Sequence, residues 1–327
     1  MKILITGGAG YVGSACLRYI ANQGHEVLAY DNMVEGHPKA VGDNPYVEGD
    51  IADTDLMTKT LKDFGADAVM HFAAATNVGE SVTNPEYHYR NNIGGTLSLL
   101  NAMREAGVKR MLFSSTSSLY GLSEQVPMSE ETSQDPINPY ARSKMAVEWM
   151  IRDFAHAYGL GFTLLRYFNA CGAEPSGDFG EYHHPETHII PLILRVPLGQ
   201  AQDIKVFGGD YPTPDGTCIR DYVHIRDLAK AHLMAIEVTT ETTDALYNIG
   251  IGKGYSVLEV IKACEEVIGQ GIPYEIVGRR AGDPTILLSD PTKLKTQLGW
   301  EPEYMELKEI IATAWAWHKA NPNGYKG

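Results

Sequence analysis

Short apolar runs recur along the first part of the chain, each followed by a glycine-rich or polar stretch and then by a helical pattern. Runs of this length between turn signals are typical of strands that are buried on both faces, as in parallel sheets. They predict strands over residues 1–5, 26–30, 46–49, 68–72 and 110–114. The alternation of strand and helix predicts an α/β protein with a doubly wound parallel sheet.

Helical patterns fill the segments between these strands, over residues 14–22, 85–106 and 140–158. A further helix is expected over residues 227–236 and a strand over residues 245–249. The second helix contains Gly94 and Gly95, and a glycine inside a helix costs about 1 kcal/mol relative to alanine. We therefore expect close packing or an approaching cofactor at these two positions.

The first strand leads into a glycine-rich turn that opens a helix. Gly8-x-Gly10-x-x-Gly13 fits the dinucleotide fingerprint, and Gly7-x-x-Gly10-x-x-Gly13 fits its variant spacing. Glycines let the backbone turn tightly and approach a pyrophosphate at the helix N-terminus. Asp31 ends the second strand and lies 18 residues after Gly13, where a carboxylate accepts from an adenosine ribose and repels a 2′-phosphate. The pattern predicts a Rossmann domain that binds NAD rather than NADP.

The ends of the next three strands also carry informative residues. Asp50 is open to two interpretations, as the cap of the following helix or as a partner of the adenine amino group. The small residues 73–75 leave room for a cofactor to pass. Five hydroxyl residues, 114–118, follow the fifth strand, and the carboxyl ends of strands in open α/β sheets face the ligand crevice.

Tyr140 and Lys144 lie four residues apart at the start of the third helix, and so share one helical face. A tyrosine with a pKa near ~10 is a poor base at neutral pH, but a neighbouring cation lowers that pKa. We expect Lys144 to make Tyr140 a proton acceptor in this way.

Composition narrows the classes of partner. The net charge of −14 argues against nucleic acid and anionic membranes, which need clustered basic residues. The four cysteines (Cys16, Cys171, Cys218, Cys264) are scattered without a CxxC pair, so neither a disulfide framework nor a metal site is predicted. No run approaches the ~20 apolar residues of a membrane span, and the start of the chain has no signal-peptide pattern. We expect a cytoplasmic protein with free thiols.

Motifs along both halves of the chain resemble the extended short-chain dehydrogenase/reductase family and, more narrowly, its UDP-glucose 4-epimerase branch. Beside the glycine turn and the Tyr140–Lys144 pair, they are RYFNACGA (166–173), PSG (175–177), GE (180–181), PETHIIP (185–191), FGGDYPTPDGT (207–217), RDYVH (220–224) and RRAGD (279–283). The resemblance covers nearly the whole chain. It implies NAD-dependent, reversible C4 epimerisation of UDP-galactose and UDP-glucose through a 4-keto intermediate, in galactose metabolism.

The resemblance also implies roles for individual residues. Thr116, Tyr140 and Lys144 are implied to be catalytic. For contact with NAD, the resemblance implies Gly7, Gly10, Tyr11, Val12, Gly13, Asp31, Asn32, Asp50, Ile51, Phe72, Ala73, Asn91, Ser114, Tyr140, Lys144 and Tyr167. For contact with the UDP-sugar, it implies Thr116, Asn169, His188, Ile189, Phe207, Arg220, Tyr222, Arg280, Asp283 and Leu287. Paired arginines suit a pyrophosphate, and aromatic rings suit a uracil face.

The chain departs from the family pattern at two positions. Thr116 replaces a frequent serine, and either hydroxyl can bond the sugar 4-oxygen. Thr76 replaces a frequent lysine, so the cofactor phosphate must be held without that cation.

The expected architecture is an NAD-binding domain over residues 1–168 and a smaller α/β domain for the UDP-sugar over residues 169–327, with part of 220–250 returning to the first. A homodimer paired through the helices at 85–106 and 143–158 is implied by the resemblance alone. Two alternatives stay open: a 4-epimerase of another UDP-sugar (an N-acetylhexosamine, a uronic acid or a pentose) and a non-catalytic NAD-binding regulator. Leu287, of intermediate size, leaves the N-acetyl group undecided.

Overall fold

The computed structural model describes residues 1–280 and 283–325 of the 327-residue chain. The elements of the first half are β1 (Lys2–Thr6), α1 (Tyr11–Asn22), β2 (Glu26–Asp31), α2 (Pro38–Val41), β3 (Tyr46–Glu48), α3 (Thr54–Phe64), β4 (Ala68–His71), α4 (Val78–Thr83), α5 (Pro85–Tyr89), α6 (Thr96–Ala106), β5 (Arg110–Thr116), α7 (Pro139–Tyr158) and β6 (Gly161–Tyr167). Those of the second half are β7 (Asn169–Cys171), α8 (Ile189–Leu194), β8 (Ile204–Phe207), β9 (Ile219–His224), α9 (Ile225–Val238), β10 (Asp244–Ile249), β11 (Gly254–Ser256), α10 (Val257–Ile268), β12 (Tyr274–Val277), β13 (Ile286–Leu287), α11 (Thr292–Leu298) and α12 (Leu307–Ala320).

The central sheet has the strand order β10-β6-β5-β4-β1-β2-β3 across the described residues, and every neighbouring pair is parallel. The chain adds β2 and β3 on one side of β1 and then β4, β5 and β6 on its other side, so the strand order reverses at β1. A ligand crevice forms at the carboxyl ends of strands at such a reversal. The predicted α/β class with a doubly wound parallel sheet is confirmed.

Side chains along β1 alternate between two cores, as the period of a strand requires. Ile3 and Ile5 belong to the core under α1 and α9, whereas Leu4 belongs to the core under α3, α6 and α7. Both faces of the sheet are therefore covered by helices. This explains why its strands read as continuous apolar runs.

A smaller lobe is built from β7, β9, β11 and β13, with the β8–β12 pair beside them. Its core lies largely among α8, α10 and α12. The chain also returns to the central sheet, because β10 pairs with β6 in parallel and falls within residues 220–250. The division of the chain at residue 168 stays a prediction.

The predicted single helix over 85–106 differs in the structure. It consists of α5, a π-helical turn over Arg90–Gly95, and α6. A Cβ at Gly95 would lie 2.6 Å from Ile51 Cδ1, so close packing explains this glycine. A Cβ at Gly94 would meet no atom of the described residues within 4 Å, so packing does not explain the second.

None of the helices within 1–280 and 283–325 combines the length and the apolar character needed to span a membrane.

Candidate active site

The glycine turn between β1 and α1 is packed too tightly for side chains. Gly7 has a φ of +68°, and a Cβ there would lie 2.6 Å from Ala73 N. A Cβ at Gly13 would lie 2.1 Å from Gly7 O. Gly10 is the N-cap of α1 and no side chain caps that end, so backbone N–H groups at the first turn can bind an anion.

The two residues after Gly10 have different surroundings. The Tyr11 hydroxyl donates to Gly172 O at 2.7 Å, and Val12 packs against the core beneath α1. Tyr11 therefore ties the glycine turn to the smaller lobe.

Asp31 lies buried at the carboxyl end of β2. Its Oδ2 accepts from Ala9 N at 3.0 Å and its Oδ1 from Met33 N at 2.9 Å. Burial raises the pKa of Asp31, while these two amide bonds lower it. Each carboxylate oxygen keeps a second lone pair, so the group can still accept from a ribose diol.

The residues after β3 settle one of the alternatives for Asp50. The N-cap of α3 is Asp53, which accepts from Leu56 N at 2.9 Å. Asp50 instead accepts from Ala52 N at 2.8 Å and from Asn32 Nδ2 at 3.1 Å. Its interpretation as the helix cap was wrong.

Lys144 lies almost fully buried beneath the crevice. Its Nζ donates to Ser114 O at 2.9 Å and lies 4.9 Å from the centre of the Phe113 ring. Burial lowers the pKa of Lys144 to about 7, and the Glu148 carboxylate acts in the opposite direction. The Ser114 and Tyr167 hydroxyls share a hydrogen bond of 2.6 Å, so three predicted cofactor residues are held together.

Tyr140 stands at the start of α7, and the Thr116 hydroxyl at the end of β5 is the polar group that acts on its phenol. Burial raises the pKa of Tyr140 to about 12, and the bond with Thr116 lowers it. This corrects the expectation that Lys144 lowers the pKa below its ordinary value. In the chain by itself desolvation dominates, because Lys144 directs its Nζ to the Ser114 carbonyl.

The other predicted cofactor residues line the same crevice or support it. The centre of the Phe72 ring lies 5.0 Å from that of His232, with the two rings tilted by 35°, and Ile51 is buried against Gly95. Asn91 Nδ2 donates to Asn92 Oδ1 at 3.0 Å.

Two buried polar groups beside the site were missed in the sequence analysis. Asn92 bonds both Ala75 N and Ala75 O, and its Nδ2 donates to Ser143 Oγ at 2.9 Å, which fixes α7 against the segment after β4. Glu148 accepts from Arg166 Nε at 2.9 Å, Arg166 Nη2 at 2.6 Å and Ser115 Oγ at 2.5 Å. The sequence signal that could have identified Glu148 is its position four residues after Lys144, which places both residues on one face of α7.

On the other side of the crevice the smaller lobe gathers the charged residues predicted for the UDP-sugar. Arg220 Nη2 donates to Asp283 Oδ1 at 2.5 Å. Arg280 lies over the Phe207 ring, with its guanidinium carbon 4.5 Å from the ring centre. Asn169 Nδ2 donates to Asp221 O at 3.0 Å. Residues 281 and 282 of the RRAGD motif lie outside the described residues.

Pairing with β9 brings further predicted residues into register. Asn169 pairs with Tyr222, and Leu287 pairs with Arg220. The Tyr222 side chain is only 3% exposed and packs in the core of the smaller lobe, whereas Phe207 is 38% exposed. Of these two rings, Phe207 is therefore the one accessible to a ligand.

The remaining two predicted residues, His188 and Ile189, mark the start of α8. Leu287 is buried with Tyr120, Met128 and Phe168. The Tyr222 ring is buried in the core of the smaller lobe and is not accessible to a ligand. For the other residues of the predicted set, a role in binding stays a prediction.

A glycine turn without room for side chains, an uncapped helix N-terminus and a buried carboxylate after β2 fit a bound dinucleotide. Together with the hydroxyl–lysine group at the carboxyl end of β5, they define a Rossmann-type oxidoreductase-like site. The model of the NAD dependent epimerase/dehydratase family matches residues 3–250, and the chain belongs to that family.

Within the family, full-length relatives are UDP-glucose 4-epimerases. The one from Halalkalibacterium halodurans is 47% identical over 326 residues, covering 99% of this chain and 98% of the relative. A UDP-glucose 4-epimerase from Brucella ovis, crystallised with NAD, is 44% identical with a TM-score of 0.93, covering 96% and 97% of the two chains. The one from Bifidobacterium longum, in complex with NAD⁺ and UDP, is 38% identical with a TM-score of 0.95, covering 99% and 100%. The resemblance inferred from the sequence is confirmed, and so is NAD as the cofactor.

Proposed function

We propose that this chain is an isomerase that interconverts UDP-galactose and UDP-glucose by inversion at C4, with NAD as its bound redox cofactor. The observation that carries the proposal is that hydroxyl residues at the carboxyl end of β5 meet Tyr140 and Lys144 of α7. The Lys144 ammonium donates to Ser114 O at 2.9 Å, and the Thr116 hydroxyl lowers the pKa of Tyr140.

Tyr140 is the residue that moves the proton of the sugar 4-hydroxyl. Thr116 holds the sugar oxygen beside the phenol by donating or accepting a hydrogen bond. In the chain by itself burial disfavours the Tyr140 phenolate and raises the pKa of Tyr140 to about 12. Positive charge beside the phenol in the occupied site, from the nicotinamide together with Lys144, would favour the phenolate. NAD, when bound, supplies the reversible oxidation and reduction at C4.

The smaller lobe is proposed to hold the UDP moiety while the sugar turns. Arg220 and Arg280 are suited to a pyrophosphate, because guanidinium groups make forked, charge-assisted bonds to it. Phe207 offers an exposed ring for the uracil face, with Arg280 already against it. Anchoring through the nucleotide leaves the hexose free to present either face of C4.

The proposal is tested by measuring conversion of UDP-galactose to UDP-glucose by purified protein without added NAD. Thr116→Val should lower turnover about 100-fold through loss of the positioning hydroxyl, and Thr116→Ser should keep most of it. Absence of turnover in the wild-type chain, even with NAD supplied, would refute the function and favour the NAD-binding regulator.

The resemblance implies that Leu287 limits the space at C2 of the sugar. Leu287 is buried against Tyr120 and Phe168, and this packing supports a preference for hexoses without an N-acetyl group. A parallel assay with UDP-N-acetylgalactosamine tests whether the enzyme also accepts an N-acetylhexosamine. Comparable rates would broaden the specificity to N-acetylhexosamines.

A homodimer through α6 and α7 is also part of the proposal. Leu97 on α6 and Trp149 on α7 are 43% and 55% exposed, which is unusual for large apolar side chains. Trp149→Glu should convert the dimer to a monomer in light scattering, and a wild-type monomer would contradict it. A cytoplasmic location is supported by four buried cysteines that are free thiols.

A further inference from the structure

The loop between β7 and α8 gathers four residues with metal-ligating side chains, Glu181, His183, Glu186 and His188. One ligand atom from each lies within 4.8 Å of all the others. The two glutamates are buried, and the cluster stands beside the glycine turn, where the His183 ring meets Tyr11 edge-on at 6.2 Å. The cluster is separate from the proton-transfer group around Tyr140.

The distances from His183 to the two glutamates are long for hydrogen bonds and leave room for a shared cation, whereas His188 Nδ1 is hydrogen-bonded to Glu186 Oε1 at 3.2 Å. His183 Nδ1 lies 3.5 Å from Glu181 Oε1 and 3.7 Å from Glu186 Oε2. Charge-assisted hydrogen bonds are about 2.7–2.9 Å long. His183 Nδ1 and Glu181 Oε1 are both buried atoms without a hydrogen-bond partner among the described residues.

Ligand atoms about 2.0–2.1 Å from a tetrahedral zinc lie roughly 3.3 Å from one another, and the two His183 distances of 3.5 and 3.7 Å are slightly longer than this. His188 Nδ1 lies 2.8 Å from Glu181 Oε1 and 3.2 Å from Glu186 Oε1. Glu186 therefore meets His183 through Oε2 and His188 through Oε1. The shorter of the two His188 contacts also suits an ion pair, so His183 is the residue that distinguishes a cation site from an ion-pair cluster.

The residues around the cluster hold its ligands in place. Glu186 Oε1 accepts from the backbone amides of Thr187 and His188, both at 2.8 Å. The Tyr325 hydroxyl bonds Gly180 N at 3.2 Å and Gly180 O at 2.8 Å, immediately before Glu181. Such outer bonds orient ligands in metal sites.

We propose that Glu181, His183, Glu186 and His188 bind one divalent cation of the zinc class. Two carboxylates and two neutral imidazoles carry a charge of −2, which the cation balances. Imidazole nitrogen with carboxylate oxygen suits zinc, and four protein ligands close the coordination shell, as in structural sites. Cysteine spacing alone predicted no metal site, and the cluster contains no cysteine.

The cation fixes the loop that leads into α8. His188 is at once a ligand and the first of the α8 residues facing the proposed UDP site, so the cation sets the position of that helix end. The site is structural and takes no part in the redox step.

The test is metal content measured by mass spectrometry on untagged holoenzyme after gel filtration through chelator-treated buffer. The wild-type chain should retain about one zinc per chain. Glu181→Gln and His183→Asn should each weaken zinc binding by more than the ~10- to 100-fold that loss of an outer-shell partner costs. His184→Asn is the matched control, since His184 is the exposed neighbour of His183 and lies outside the cluster.

A second measurement does not depend on the folding of the variants. Cobalt added to the chelator-treated wild-type chain should give the visible absorption of four-coordinate cobalt, and equimolar zinc should remove it. Wild-type protein that retains no zinc and gives no such absorption would overturn the proposal. Equal zinc retention by His183→Asn and the wild-type chain would also overturn it.

Discussion

Replacing Lys144 with methionine should make the chain more stable while it abolishes turnover. The methionine side chain is unbranched like that of lysine and one atom shorter, and it removes a charge that the fold buries almost completely. Burial lowers the pKa of Lys144 from 10.5 to about 7. Because a tenfold change corresponds to about 1.4 kcal/mol, this lowering means that burying the ammonium costs roughly 5 kcal/mol when the group is fully charged.

Part of that gain is lost with the hydrogen bond to Ser114. The Ser114 carbonyl accepts from Lys144 Nζ at 2.9 Å, and a buried carbonyl without its donor costs about 1–3 kcal/mol. At neutral pH we expect Lys144→Met to raise the free energy of unfolding by about 1 to 3 kcal/mol.

The pH dependence of the stability difference between Lys144→Met and wild type shows whether the buried ammonium causes it. Below pH ~7 the folded and unfolded chains both carry the ammonium, and the folded chain bears the full cost of its burial. Between about 7 and 10.5 the unfolded chain binds a proton that the folded chain does not, so wild-type stability rises with pH across this window. The advantage of Lys144→Met should therefore be largest below neutral pH and shrink as the pH approaches 10.5.

The assay is urea unfolding at several pH values on chains freed of nucleotide, since a bound ligand adds its own stabilisation. Lys59→Met is the matched control, because the Lys59 side chain is 73% exposed and its stability effect should be small and independent of pH. A Lys144→Met chain that is less stable than wild type at every pH would mean that burial of the ammonium does not destabilise the fold.

Two further substitutions test the supports of the site. Glu148→Gln should lower the free energy of unfolding by about 3 to 5 kcal/mol in urea unfolding, because the buried Arg166 guanidinium loses its charged partner. Gly13→Ala should abolish retention of NAD on gel filtration, because its Cβ would lie 2.1 Å from Gly7 O and force the turn open. Gly79→Ala, whose Cβ would make only an ordinary 3.5 Å contact, is the matched glycine control.

Each of these expectations has a result that contradicts it. A loss below 1 kcal/mol for Glu148→Gln, no larger than an exposed charge pair contributes, would mean that the buried ion pair is dispensable. Glu131→Gln, at an exposed position, sets the baseline for that comparison. Full NAD retention by Gly13→Ala would mean that the tight turn is not needed for the cofactor.

Some residues of the site could be identified from the sequence pattern around them, and others could not. Gly13 and Asp31 could be found because the turn and the strand end that need them are set by neighbours in sequence. Glu148 was missed because a carboxylate on a helix is usually solvated, and its partners come from β5 and β6. The cluster around His183 was missed because its four members meet only after the loop folds back on itself.

The layered α/β fold, the dinucleotide turn, the return of a strand within 220–250 and the family could be predicted from the sequence, because each depends on local periodicity or on a short motif. The burial of the Tyr222 ring and the desolvated position of Lys144 became known from the three-dimensional structure alone. The reason is that burial depends on every element packed around a group. The pKa values of Tyr140 and Lys144 follow from that burial, so no spacing along the chain can fix them.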